Sequence, residues 1–289
     1  MSAPWQSHSA ERPVREGNLQ YHIRCGEGDI HKYVLLPGDP DRTDLIAKGW
    51  TSSRFVANNR EHRTWSGLLE DVPVSCCSTG MGGGSTSIAL EELAALGADT
   101  FIRVGSCGAL RPEVRCGDLI ICSGAMRQDG TSHDYVDPSY PAVAHYEVVT
   151  ALVEACERLK VRYHVGISCT TASFYCGQAR PGFGDYIQSG FERKVEDLSR
   201  AGVLDFEMEA ATLFTLAGLY GFRAGAVLAV VAHRVEDTFR YEGIDHSVAV
   251  ANEAVKLLAD WDARKESAGR AHWSPGLMSG PEKAPEPEE

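Results

Sequence analysis

Several things are missing from this 289-residue chain, and each absence removes a class of function. No apolar run reaches the roughly 18 residues that a membrane-crossing helix needs. The stretch from Met1 to Glu16 is polar and of mixed charge, with no apolar core of the secretory kind. A cytoplasmic protein with no membrane partner is therefore expected. A basic excess is missing too. Lys and Arg number 28 against 40 Asp and Glu, a formal net charge of -12, which argues against a nucleic-acid partner. The nine cysteines (Cys25, Cys76, Cys77, Cys107, Cys116, Cys122, Cys156, Cys169 and Cys176) include no CxxC pair. No ligand spacing suits zinc, and reduced thiols packed as small hydrophobes are expected. No internal repeat of roughly 20–50 residues is visible.

What is present reads as an ordinary globular chain, 43% hydrophobic and 24% charged, long enough for one large domain or two small ones. Residues 1–19 lack apolar periodicity and read as a flexible N-terminal segment. From about Asp262 the chain turns polar and rich in Pro and Gly, ending PGLMSGPEKAPEPEE. Such a composition buries too little surface to offset ordering entropy, so residues 262–289 read as a disordered acidic tail. The domain is expected over residues 20–261.

Within it, short apolar runs alternate with longer amphipathic ones. Strands are expected at Tyr33–Pro37, Val74–Ser78, Thr100–Val104, Asp118–Ser123, His164–Thr170 and Gly225–Val231. Helices are expected at Ser85–Leu96, Glu147–Leu159, Glu192–Ala201, Met208–Tyr220 and Asp245–Trp261, the last with Asp245 as N-cap. This alternation predicts an α/β layered fold with a parallel or mixed sheet. Ligands in such folds bind beyond the strands' C-terminal ends.

The residues with chemical potential stand at those ends. The first strand runs into Gly38, where the backbone can approach a ligand closely, and then Arg42; a turn with a surface arginine reads the same way. After the second strand, Gly80-Met81-Gly82-Gly83-Gly84 opens a helix capped by Ser85 or Thr86, as an anion cradle or simply a tight turn. No Gly-Lys-Ser/Thr follows, so it is no Walker loop. Arg103 sits inside an apolar strand that continues into Gly105-Ser106-Cys107. A guanidinium there needs an anionic ligand or a structural acid. Phe174, Gln178 and Arg180 share one short segment, offering a ring face, an amide and a cation to a flat heterocycle, or else forming a polar surface loop. Glu207 and Glu209 flank Met208 at a helix start, where the helix dipole favours negative charge. Such a carboxylate can accept both hydrogens of a vicinal diol. The last strand runs into His233 and Arg234, a weak signal by itself.

Together these segments resemble the nucleoside phosphorylase-I family, above all its uridine phosphorylase branch. The resemblance covers about residues 20–261. It rests on six motifs in family order: LLPGDPDR, NREHRTW, STGMGGGSTSIALEEL, FIRVGSCGAL, FYCGQAR and FEMEAATL. It implies a three-layer α/β/α sandwich with a mixed, barrel-like central sheet, and phosphorolysis of a pyrimidine nucleoside to free base and ribose 1-phosphate in nucleoside salvage. It further implies a phosphate site of Gly38, Arg42, Arg103 and Ser106, with Arg60 supplied by a neighbouring subunit. His22 would reach across a dimer interface to the ribose. Glu209, with Met208 and Glu207, would hold the sugar. Phe174, Gln178 and Arg180 would hold the base, with Cys107 and His233 nearby, and Arg234 would close the rim. Arg103, Arg180 and Arg234 are the groups expected to act on the reacting atoms. No organic cofactor is implied, only inorganic phosphate as co-substrate. Glu61, Met81 and Ser85 match positions where some members hold a monovalent cation at the dimer interface, which makes potassium a candidate ligand. The expected assembly is a homo-oligomer, at least a dimer and in this family a hexamer.

Two positions depart from the branch. Ser106-Cys107 stands where bacterial uridine phosphorylases carry Thr-Thr, and RVGSCGA is the pattern of hexameric purine phosphorylases. His233 replaces an asparagine, where purine enzymes commonly carry an aspartate. A purine nucleoside phosphorylase is therefore the alternative enzyme, and a non-catalytic nucleoside-binding protein the alternative outside enzymes. Gln178 and Arg180, absent from the purine branch, favour the pyrimidine reading.

Overall fold

Tyr33–Pro37 sets the plan of the molecule in five residues: Val34 and Leu36 pack into one hydrophobic core, Tyr33 and Leu35 into another. Alternate side chains of a strand point to opposite faces, so a strand buried on both faces must be covered by helices on both. The computed structural model describes residues 9–278. In chain order the strands are β1 (Val14–Arg15), β2 (Leu19–Gln20), β3 (Tyr33–Pro37), β4 (Ser52–Asn59), β5 (His62–Leu69), β6 (Val72–Cys77), β7 (Thr100–Ala109), β8 (Leu119–Gln128), β9 (Ala142–Val143), β10 (Tyr163–Thr171), β11 (Val203–Glu207), β12 (Arg223–His233) and β13 (Thr238–Phe239). The helices are α1 (Asp41–Lys48), α2 (Gly83–Ala95), α3 (Thr131–Tyr135), α4 (Tyr146–Leu159), α5 (Lys194–Arg200), α6 (Ala210–Tyr220) and α7 (Ile244–Ser267).

β1 and β2 pair with each other; the other eleven strands form one mixed sheet. Five of them close on themselves. β7 pairs with β12, β12 with β8, β8 with β10, β10 with β11, and β11 returns to β7 through Asp205 opposite Ala109 and Phe206 opposite Gly108. β3, β6, β5 and β4 extend outward from β7 as a flange. The core holding Val34 and Leu36 is shared with α2 and α6, and the core holding Tyr33 and Leu35 with α1, α4 and α7. This is the expected three-layer sandwich around a barrel-like mixed sheet. Among the described residues no helix is long and apolar enough to cross a membrane.

The element ends correct several expectations. α2 begins at Gly83 with Gly82 before it, so Ser85 and Thr86 lie inside its first turn, where their hydroxyls donate to the Gly82 carbonyl at 3.4 and 2.9 Å. Asp245 likewise lies inside α7, which follows Gly243 at φ 81°. Met208 and Glu209 precede α6, because residues 203–207 are spent on β11. α7 runs past residue 261 to Ser267, and Trp273 stacks on Trp261 with ring centroids 4.0 Å apart. Ordered structure therefore extends beyond the boundary expected at Asp262. Residues 1–8 and 279–289, part of the expected flexible ends, lie outside the described residues.

Candidate active site

The second half of β7 and the segments that follow β3, β6, β10 and β11 enclose a cavity of about 840 Å³, within the range of small-molecule sites. Its wall contains Gly38, Arg42, Arg103, Ser106 and Cys107, together with Phe174, Gln178 and Arg180. Met208, Glu207 and Glu209 line it too, as do Glu61, Met81 and Ser85. Six chain-distant stretches thus meet at one place.

Arg42 is 7% exposed. Its Nη1 donates to the Val104 carbonyl at 2.9 Å and its Nη2 reaches the Tyr241 hydroxyl at 3.5 Å. Its Nε has no hydrogen-bond partner, and no carboxylate pairs with the guanidinium among the described residues. A buried guanidinium with no acid is costly unless an anion joins it.

Arg103 is held differently. Its Nε donates to Glu207 Oε2 at 3.1 Å and its Nη2 to Glu209 Oε2 at 2.5 Å. Burial penalises its charge, but the two carboxylates outweigh that and keep it above its ordinary value. Glu207 is heavily engaged within the protein. It also accepts from the Thr170 hydroxyl and from the backbone N–H groups of Glu209 and Ala210, both at 2.8 Å. It thus braces Arg103 while lining the same cavity. Glu209 accepts from Gly82 N–H at 2.5 Å, and burial raises its carboxyl although Arg103 opposes the shift. The Gly-rich turn therefore serves to hold Glu209 and to let helices close. A Cβ on Gly83 would lie 2.4 Å from the Thr212 hydroxyl.

The base-side wall is a stack. The Arg180 guanidinium lies 3.9 Å from the centroid of Phe174. It donates to the Phe174 carbonyl at 2.9 Å and to the Gln178 side-chain oxygen. Burial, helped by the nearby Arg234, lowers Arg180 to about 10, the mark of a desolvated cation whose charge lacks an acid.

A sequence model of the phosphorylase superfamily matches residues 32–261. A uridine phosphorylase from Thermococcus kodakarensis is 55% identical over 269 residues, which is 93% of this chain and 97% of that protein. The chain belongs to the phosphorylase superfamily. The uridine phosphorylase of Escherichia coli is 37% identical to this phosphorylase over 247 residues, 82% of the chain and 97% of that protein. A guanosine phosphorylase from Halorubrum lacusprofundi is 39% identical over 211 residues, 73% of the chain and 82% of that protein.

Four expected residues of the phosphorylase do not line its cavity. Arg234 instead donates from Nη1 to the Gln178 carbonyl at 2.8 Å and so braces the base-side segment. His233 is 2% exposed; its Nδ1 accepts from Glu236 N–H at 3.0 Å and its Nε2 has no partner. His22 pairs through Nδ1 with Glu92 at 2.6 Å, and its carbonyl accepts from Asn59 at 2.6 Å. Asn59 adjoins Arg60, which is exposed in the β4–β5 turn at φ 57°. His22 and Arg60 thus share one edge. The sequence reading missed Phe239 and Tyr241, which also line the cavity. Both follow Arg234 on an exposed segment, where neither periodicity nor spacing could have marked them.

Proposed function

We propose that this phosphorylase cleaves a pyrimidine nucleoside of the uridine type with inorganic phosphate, yielding free base and ribose 1-phosphate in cytoplasmic nucleoside salvage. The observation that carries this reading is the unpaired buried Arg42 facing the same cavity as the Phe174–Gln178–Arg180 wall. One side lacks an anion; the other offers a ring face, an amide and a cation.

Phosphate sits against Arg42 and Arg103, with the Ser106 hydroxyl as a neutral donor. The sugar lies over Met208 and exchanges hydrogen bonds with Glu209. Attack on the anomeric carbon is then effectively unimolecular. The C–N bond breaks towards an oxocarbenium-like sugar, and its electrons pass to the departing base. The desolvated Arg180 stabilises that developing anion more than it would in water. No covalent intermediate with the protein is required.

The shared edge of His22 and Arg60 supports a dimer in which each copy completes the other's site, and from it a hexamer. Potassium fits the same edge chemically. Ser85 Oγ lies 3.3 Å from the Met81 carbonyl, and Glu61 packs against Gly80 beside them. Carboxylate, carbonyl and hydroxyl oxygens suit a hard cation, and Glu61, Met81 and Ser85 of two copies would hold it.

The relative that is a guanosine phosphorylase keeps a purine reading in view. Gln178 and Arg180 line the cavity and His233 does not, so the pyrimidine reading stands ahead. The test is base release from uridine, thymidine, deoxyuridine, cytidine, inosine and guanosine, with and without phosphate. Uridine should be cleaved only with phosphate present. Faster cleavage of guanosine would transfer the assignment to purines, and cleavage without phosphate would make the enzyme a hydrolase. Nucleoside binding with no cleavage would support a binding protein.

A further inference from the structure

Inside the closed barrel, directly behind the cavity wall, lies an acid that the reaction above does not use. Asp205 on β11 is 0% exposed. Its Oδ2 receives a long hydrogen bond, 3.3 Å, from the Ser168 hydroxyl, and its Oδ1 has no partner. The groups facing it come from four of the five barrel strands. β7 supplies Arg103 and the Cys107 thiol, β8 supplies Cys122, β10 supplies Ser168, and β11 itself adds Glu207. β12 contributes nothing ionisable between Arg223 and His233. Cys122 Sγ lies 2.9 Å from Ser168 Oγ, so that hydroxyl is shared.

No cation pairs with Asp205, because Arg103, the basic group of this cluster, is already engaged by Glu207 and Glu209. Full burial without a cation favours the neutral form of that carboxyl over the ionised one. Burial pushes it up to about 7, and Glu207 adds to the rise. Cys107 and Cys122 are pushed up by burial as well, so both stay as neutral thiols.

Resting on the phosphate assignment above, we propose that Asp205 is a positioning residue that sets the strength of phosphate binding through its proton: neutral, it adds no charge beside Arg103 and the phosphate, and ionised, it weakens the site. The charge count makes the argument. Arg103 already faces Glu207 and Glu209 as ion-pair partners, and Arg42 is the second guanidinium of the phosphate end. Ionised Asp205 adds a third buried negative charge beside Arg103, and a phosphate anion arriving there is repelled. By linkage, bound phosphate holds the proton on Asp205. A carboxyl whose pKa is raised is neutral below that value, so the weakening appears as pH rises through it.

The test measures inorganic phosphate binding by calorimetry, without nucleoside, from pH 6 to pH 8.5 in the full-length protein and in Asp205→Asn. The amide keeps the shape and cannot ionise. The parent should lose roughly five-fold or more in phosphate affinity, relative to Asp205→Asn, across this range. Phosphate's own titration is common to both and cancels in the ratio. Profiles that superimpose overturn the proposal. Should Asp205→Asn fail to fold, Ser168→Ala provides the same reading. It removes a donor that favours the charged form, so the loss must move to higher pH; an unmoved profile again overturns it. A phosphate-minus-free infrared difference spectrum near neutral pH should show a gain of protonated carboxyl that Asp205→Asn lacks. If the protein binds phosphate with the predicted pH dependence yet cleaves no nucleoside, the assigned activity fails and this proposal survives. If it cleaves uridine with identical profiles in both proteins, the reverse holds.

Discussion

Arg103 carries two burdens at once, and a single substitution separates them only when the right quantities are measured. Removing its guanidinium takes away a phosphate contact and leaves Glu207 and Glu209 buried without their cation. Arg103→Ala should therefore lower kcat/KM roughly a hundred-fold or more. It should also lower stability by about 3 kcal/mol, the scale for breaking a buried ion pair. Steady-state kinetics with phosphate varied at saturating uridine, alongside thermal melting, checks both. An enzyme that melts early but keeps its kcat/KM would show that Arg103 is only structural. Arg103 could be picked out in the sequence because a guanidinium inside an apolar strand is rare without a purpose. Arg42 was legible only as a turn arginine; its lack of an acid partner is a three-dimensional fact. Asp205 was not legible at all. Its isolation follows from the closure of five strands around it, which no local pattern encodes.

At the scale of elements, the helices α2, α4, α6 and α7 and the buried strands β3, β6, β7, β8, β10 and β12 begin within two residues of the expected starts, while β7, β8 and α7 run five or six residues past their expected ends. β4 and β5 escaped notice. Ser52–Arg54 are exposed and β5 is threaded with His62, Arg63, Thr64 and Ser66, so these flange strands lack the apolar runs that revealed the central ones. β11 hid because Glu207 and Asp205 interrupt its apolar character, each for a reason of the site. The base-side segment, residues 172–193, is built from three short 3-10 turns rather than from a regular element. It therefore depends on outside braces. One brace is Arg234, through the Gln178 carbonyl. Arg234→Ala should raise the KM for uridine about five-fold while leaving the KM for phosphate unchanged, since only the base contacts loosen. It also removes a like charge near Arg180, so Arg180 should rise from its lowered value. Equal changes in both KM values would mean that Arg234 acts on the cavity as a whole, against its assignment as a brace of the base segment.

The molecule as a whole is fastened by a second charge cluster, far in sequence from its chemistry. Arg223 on β12 pairs with Glu147 on α4 at 2.8 Å and with Asp262 on α7 at 2.7 Å. Lys265 pairs with the same two acids at 2.7 and 2.9 Å, and Lys32 with Asp262 at 2.7 Å. Trp273 covers the cluster. Its N–H donates to Glu147 at 3.0 Å, and its ring stacks on Trp261. The last helix, the sheet and the segment after the helix are thereby tied together. Burial alone would raise Glu147, but hydrogen bonds from Lys265, the Trp273 N–H and Arg223 outweigh it and hold the carboxyl down at about 2. Asp262 is held below its ordinary value by Arg223 and Lys32 against the same penalty. An acid whose folded value lies below its unfolded one stabilises the fold above the unfolded value, about 4.3 for Glu and 3.9 for Asp. That contribution is lost as pH falls towards the folded value. The melting temperature should stay level between pH 7 and pH 5 as far as this cluster is concerned, then drop steeply between about pH 4 and pH 2. Trp273→Ala removes the stack but keeps the backbone donor. It should cost about 2 kcal/mol, a few degrees of melting temperature at this chain length, with the acid limb unmoved. Lys265→Met removes a charge-assisted donor to Glu147 and should shift the acid limb to higher pH. If Lys265→Met leaves the limb in place, the acid sensitivity belongs to other carboxylates and the cluster is not what holds the two ends of the fold.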